Sequence, residues 1–208
     1  METFFASPER KDTEGISRQI SLIVDDPVVK AICNITGSLF AVLNSNRQII
    51  ALNNALLEQL NLVSEAEAMG LRPGEALRCV HADDTENGCG TGPFCASCGA
   101  AIAVVAALTE LKPEEKFCSL KRIVKNTEEE IVLRVRAHPF TSKGESYILL
   151  FLDDVTEVNR AVSLQKIFLH DMKNSITGLA GTFNYVKKGK YSEKTALDIA
   201  ERYTGKLI

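Results

Sequence analysis

Residues 155 to 188 constrain this chain more than any other stretch. From Val155 to about Lys188 the apolar residues follow helical spacing, and Gly189 supplies a stop. At 1.5 Å per residue this is about 50 Å of helix, longer than a globular domain ordinarily packs. Val155, Val158, Val162, Gln165, Leu169, Met172, Ile176 and Leu179 fall on successive a and d positions of a heptad, and Gln165 alone is polar. Such a seam predicts a coiled coil between two chains, hence a homodimer. Ser192 reads as the N-cap of a second helix. Its Ala196, Ile199, Tyr203 and Leu207 form an apolar stripe able to fold back on the first helix. The sequence ends inside that helix without a stop signal, so the natural protein is expected to continue.

The preceding part reads differently. Residues 1–20 are polar and expected to be flexible. Ser21–Thr36 reads as a helix, with Asp25, Asp26 and Pro27 as its start signal. Leu39–Leu43 and Gln48–Leu52 read as strands around an Asn44-Ser45-Asn46 turn. Leu56, Leu57 and Leu60 give helical spacing to residues 53–62. Residues 64–99 are irregular, and Ala100–Leu111 is an apolar helix ended before Pro113. Lys116–Val124, Ile131–His138 and Tyr147–Leu152 read as three strands joined by turns at Asn126-Thr127 and Ser142-Lys143-Gly144. In the second of these, Ile131, Leu133, Val135 and Ala137 alternate with Arg134, Arg136 and His138. The prediction is an α+β domain over residues 21–154, with a five-stranded antiparallel sheet, flanking helices and a Cys-rich insertion at 79–98. The helical region then occupies 155–208.

Composition narrows the function. Hydrophobic residues make up 45% of the chain, enough for a buried core. The net charge is −3 with no long basic run, which argues against nucleic-acid binding. The longest apolar run, Ala100 to Leu108, is far too short to span a membrane. The N-terminus has no signal-peptide pattern, so the expected location is cytoplasmic.

Six cysteines are present, four of them between residues 79 and 98. In a reducing compartment such clustering points to metal or redox chemistry rather than structural disulfides. The pattern is Cys79-x-His81, then Cys89, Cys95 and Cys98, the last two forming a CxxC pair whose thiolates can converge on one metal. Gly88, Gly90, Gly92 and Gly99 let the backbone bend around it, and Cys98 opens the following helix. Cys79, Cys89, Cys95 and Cys98 are the expected ligands, with His81 as a substitute for one. Zinc and an iron–sulfur cluster both accept four thiolates, and spacing does not choose between them. Cys33 and Cys118 read as buried small hydrophobes. His138 reads as a surface residue, and Arg134 and Arg136 as a solvated or helix-covered face.

His170 lies one residue past an a position, on the shoulder of the seam. An imidazole there stays accessible while its helix packs. Asp171 is placed to accept a ring proton, and Asn174 follows one turn later. The string His170-Asp171-Met172-Lys173-Asn174 resembles the H-box of histidine kinases. The resemblance implies that His170 is the phosphoacceptor, that Asp171 assists transfer, and that Asn174 serves dephosphorylation of a partner response regulator. Ser175 stands where that motif often has proline.

The domain over 21–154 resembles PAS domains in element order. Its end, Leu152-Asp153-Asp154-Val155-Thr156, is similar to the Asp-Ile-Thr exit into signalling helices. Some PAS sensors hold iron–sulfur clusters. The combined resemblance implies a two-component sensor whose PAS domain reads a redox, gas or ligand signal and controls His170. No Asn-rich or Gly-rich nucleotide box precedes residue 208. ATP and Mg are therefore expected only through an ATP-binding domain of the same protein beyond it, or one in trans, and residues 1–208 are expected to be inactive alone. The alternative is a non-catalytic metal-binding dimerisation module or phosphorelay adaptor.

Overall fold

The computed structural model describes residues 3–124 and 127–205. The chain divides into two compact units, one through Thr156 and one from Glu157.

The first unit opens with α1 (Thr13–Ile23), capped by Asp12, and α2 (Pro27–Ile35), capped by Asp26 with Pro27 in the first turn. Strands β1 (Leu39–Asn44) and β2 (Ile49–Leu52) form a hairpin. Short helices α3 (Asn54–Gln59) and α4 (Pro73–Ala76) follow, then α5 (Gly99–Glu110). Strands β3 (Glu114–Val124), β4 (Thr127–Ser142) and β5 (Glu145–Asp154) close the unit. All neighbours in the sheet are antiparallel, in the order β2-β1-β5-β4-β3.

Period-2 alternation gives each strand two faces, and both are covered. On one face Leu43, Ile49, Leu120, Leu133, Val135 and Leu150 pack with residues of α3, α4 and α5, including Leu56, Ala76 and Val104. On the other, Phe40, Val42, Ile50, Tyr147 and Leu149 pack with Ile16, Ile23 and Val29 of α1 and α2. The expected five strands and their antiparallel pairing are present.

Several boundaries move. The N-terminus is not a loose tail: Ile16, Gln19 and Ile23 of α1 are buried, and Gln19 donates to Glu145 Oε2 at 2.7 Å. Apolar burial against the sheet fixes this helix despite its polar exposed side. The helix expected over Ser21–Thr36 is two, broken before Asp26 and Pro27. The irregular stretch holds α4 and two 3-10 turns, Glu65–Glu67 and Pro93–Ala96. Of the turn expected at Asn126-Thr127, Asn126 lies outside the described residues and Thr127 opens β4.

The second unit is a helical hairpin. Helix α6 (Thr156–Lys187) runs 32 residues, and Gly189 has the left-handed φ of +66° that ends it. Ser192 caps α7 (Glu193–Thr204) by accepting from Thr195 N. The ring of Tyr203 occupies the space a side chain at Gly178 would need. The buried face of α6 carries Ser175 and Thr182, not the heptad seam. Val158, Val162, Leu169 and Ile176 are exposed. Leu207, expected in the α7 stripe, lies outside the described residues. No helix among the described residues is long and apolar enough to cross a membrane.

Candidate functional sites: a thiol-lined cavity and an exposed histidine

Five cysteines, Cys79, Cys89, Cys95, Cys98 and Cys118, line one cavity of about 260 Å³, together with His81, Arg47 and Arg72. Each reaches it by a different local device. Cys79 forms a single bridge to Arg122 at the edge of β3, held by Val80 N donating to Lys121 O at 2.9 Å. Cys89 is fixed through its own N–H, which donates to Glu75 Oε1 at 3.1 Å. Cys95 sits in the 3-10 turn, where Gly90 N donates to its sulfur at 3.2 Å. Cys98 caps the N-terminus of α5.

Two glycines make room for this assembly. A Cβ on Gly99 would stand 2.0 Å from Phe117 O, so only glycine lets α5 begin this close to β3. A Cβ on Gly74 would stand 2.6 Å from the Cys89 sulfur.

Cys118 is the residue that sequence reasoning missed. Its position in the inward alternation of β3 reads as core, and it is buried among Leu120 and Leu133. Its sulfur nevertheless lies 3.6 Å from that of Cys98. The contact with the Cys118 thiol lowers the Cys98 titration; N–H groups of Ala101 and Ala100 add to this against the cost of burial. The same bond, and then burial, pushes Cys118 up. Burial raises Cys79, and raises Cys89 to about 12. Cys33 is half-buried beside the second core, away from the cavity.

His81 is oriented from two sides. Its ring stacks on Phe94 with centroids 4.0 Å apart, and its Nδ1 lies 2.9 Å from Asp84 Oδ2. Among the described residues, no three His, Cys, Asp or Glu side chains stand close enough together to hold one metal ion. The expected ligands are thus gathered around a space rather than closed on a point. Their chemistry, soft sulfur with one imidazole, fits a thiophilic metal.

The cysteine loop is tied to the start of the chain. Phe4 N donates to Thr91 O, and Ala6 N to Gly90 O. Arg72 is fully buried; its guanidinium donates to the carbonyls of Asn46, Asn87, Cys89, Ser7, Pro8 and Glu9. Burial first, then the charge of Arg47, pulls it down to about 10, so it remains cationic at neutral pH.

In the other unit, the His170 side chain is 71% exposed on α6. Its Nδ1 lies 3.4 Å from Asp171 Oδ1 and 3.2 Å from Asn174 Nδ2, which is also 3.4 Å from Nε2. In a neutral ring Nδ1 either gives a proton to Asp171 or accepts one from Asn174, not both. The two neighbours therefore favour opposite tautomers. His138 packs edge-on to Phe151 at 5.9 Å, on the sheet and outside the lining of the cavity. Arg134 and Arg136 pair with Asp153 at the end of β5.

No protein-family model matches the chain. No curated protein matches it. Among solved structures, the LOV protein of Rhodobacter sphaeroides is similar with TM-score 0.44 and 11% identity, over 94% of this chain and 94% of that one. The PAS domain of nitrogen regulation protein NR(II) from Vibrio parahaemolyticus has TM-score 0.44 and 13% identity, over 62% of this chain and 99% of that one. A PAS domain from a two-component sensor histidine kinase has TM-score 0.39 and 6% identity, over 68% of this chain and 99% of that one. By its strand order and the placement of its helices between β2 and β3, the chain has a mixed α/β fold built on a five-stranded antiparallel sheet.

Proposed function

We propose that the chain is the sensor and phosphoacceptor part of a two-component histidine kinase. The PAS-like unit holds the input in its thiol-lined cavity, where Cys79, Cys89, Cys95 and Cys98 bind a metal centre and His81 stands in reserve. The helical unit dimerises through its exposed seam and presents His170. The observation that carries this reading is the exposed His170 ring on a 32-residue helix, with Asp171 and Asn174 both at its nitrogens.

The chemistry follows from that arrangement. With Nδ1–H held toward Asp171, Nε2 keeps its lone pair and attacks the γ-phosphorus of ATP supplied by a catalytic domain. The N–P bond forms as the bond to the β,γ-bridging oxygen breaks, and ADP leaves with that electron pair. The phosphoryl group then passes to an aspartate of a response regulator. Signal control acts by shifting the dimer between two packings that differ in access to His170.

The test is transfer in trans. The 208-residue chain is mixed with a histidine-kinase ATP-binding domain and ATP labelled at the γ position. The label should enter the native chain, survive base, and be lost in acid, as a phosphoramidate is. His170→Gln should take up none while keeping its dimer. Label in the His170→Gln protein at the native level would overturn the assignment.

A further inference from the structure

Two of the five cavity thiols, Cys98 and Cys118, are in contact with each other. We propose that they are a peroxide-reactive dithiol: a hydroperoxide oxidises Cys98, and Cys118 then closes a reversible disulfide with it. The proposal goes beyond the metal reading. The bond needs no metal, and a metal held by Cys98 would exclude it.

Proximity is the first ground. The two sulfurs lie 3.6 Å apart, although one residue caps α5 and the other sits inside β3. The backbones beside them touch as well, since a Cβ on Gly99 would strike Phe117 O. A disulfide needs a sulfur–sulfur bond of about 2.05 Å on two closely approaching chains. What remains is a closing of about 1.5 Å between the sulfurs, which side-chain rotation can supply. Among the described residues, no three His, Cys, Asp or Glu side chains stand close enough to hold a metal ion, whereas this bond asks for two sulfurs only.

Unequal burial assigns the roles. Cys98 is half-buried, while Cys118 is 2% exposed and packs in the core with Leu120 and Leu133. Cys98 also heads a 12-residue helix, and the N–H groups of Ala100 and Ala101 bond its sulfur. Those donors stabilise negative charge on the attacking atom. The cavity of about 260 Å³ that both thiols line gives a small oxidant room beside them, since a water needs only about 10–15 Å³. Cys98 is therefore the sulfur that meets the oxidant, and Cys118 the one that resolves the product.

The chemistry balances in two steps. The Cys98 thiolate attacks one oxygen of hydrogen peroxide; an S–O bond forms, the O–O bond breaks, and the departing hydroxide takes up the proton that Cys98 lost, giving water and a sulfenic acid. The Cys118 sulfur then attacks the Cys98 sulfur. The S–S bond forms, the S–O bond breaks, and hydroxide leaves with the Cys118 proton as a second water. Two thiols lose two electrons in total, and one peroxide gains them. An external dithiol reverses the bond by exchange at the more exposed Cys98 sulfur. The bond ties the start of α5 to β3, two elements that pack directly on each other.

The experiment treats the whole reduced chain with hydrogen peroxide in the presence of a metal chelator, then maps its peptides without reductant. Free thiols, counted after unfolding, should fall from six to about four, with one cross-linked peptide joining Cys98 to Cys118. Dithiothreitol should restore all six. Cys98→Ser should lose thiol at least about tenfold more slowly at the same peroxide dose. Cys118→Ser should stop at the sulfenic acid, trapped by dimedone on Cys98. Six thiols remaining in the native chain, or a cross-link that joins any other pair or two chains, overturns the proposal. Dimedone on Cys118 in the Cys98→Ser protein at the native rate reverses the roles and overturns it as well. The native peptide map gives the deciding result, so a variant that misfolds does not blur it. With the chelator present and His170 not involved, failure here is separable from failure of the metal or the phosphoacceptor reading.

Discussion

Arg72, with no exposed surface, donates from its guanidinium to the carbonyl of Cys89 at 3.1 Å and, through the same group, to that of Glu9 at 2.8 Å. One side chain thus fastens the cysteine loop to the start of the chain. Replacing it with Met leaves several buried carbonyls without donors, each costing about 1–3 kcal/mol. Arg72→Met should lower stability by at least about 3 kcal/mol in urea titration and expose residues 4–12 to protease. Arg72→Lys should recover little, because an ammonium cannot span the same set of acceptors.

Close packing at Gly99 gives a second prediction. Gly99→Ala forces α5 away from Phe117 O, so thermal or urea unfolding should show a loss of about 1–3 kcal/mol, as overpacking usually does. The Cys98 and Cys118 sulfurs should separate, and Cys98 should alkylate more slowly as it loses its contact with the Cys118 thiol. A variant as stable and as reactive as the native chain would show that the approach is not tight.

The exposed seam on α6 predicts self-association. Val162→Lys with Leu169→Lys should turn a dimer into a monomer in sedimentation equilibrium, with the first unit's circular dichroism unchanged. Both positions are solvent-facing within the single chain, so folding of that chain does not depend on them. A dimer that persists would place the contact elsewhere.

The end of β5 makes stability depend on acid. Burial alone would raise the Asp153 carboxyl, but the Ser38 hydroxyl at 2.6 Å, Arg134 at 3.0 Å and Arg136 at 3.1 Å outweigh it and hold it below the ordinary 3.8. A folded value below the unfolded one adds stability that is complete well above 3.8 and is lost as pH falls through the folded value. Asp153→Asn should therefore be less stable than the native chain near about pH 7, and the gap should close below the ordinary carboxylate value. A gap independent of pH would remove the charge from the account.

At His170 the two neighbours should divide the reactions. Asp171→Asn removes the group that draws the proton to Nδ1, and transfer should slow by about a hundredfold. Asn174→Ala should spare transfer but impair dephosphorylation of the regulator, which needs a positioned water. Equal loss of both reactions in Asn174→Ala would refute the division.

Much of this was legible in the residues because local rules suffice there. Alternation placed β4, a continuous apolar run placed β5, caps placed α2 and α7, and the 3.5-residue rhythm marked α6. The cavity was legible only in part. Cys79, Cys89, Cys95 and Cys98 announce themselves by proximity in sequence, whereas Cys118 is identical in pattern to any inward strand residue and becomes a partner only through the approach of α5 to β3. Helix α1 was missed because its apolar positions, Ile16, Ile20 and Ile23, are diluted by polar neighbours; its stability comes from β5, more than a hundred residues away. The seam reads as a contact between two chains; within one chain the buried positions of α6 include Ser175 and Thr182, small residues that carry no hydrophobic signal.

The tie from Arg72 to Ser7 spans 65 residues, and the one from Gln19 to Glu145 spans 126. During synthesis, the first can close early, but the cysteine cavity lacks its β3 wall until Cys118 has left the ribosome, and α1 has no sheet to lie on until Glu145 has. The newborn chain therefore carries the thiols of Cys79, Cys89, Cys95 and Cys98 unsheltered until β3 has emerged. Timing thus becomes a vulnerability: oxidants and mispairing compete with burial for the same sulfurs before the fold can hide them.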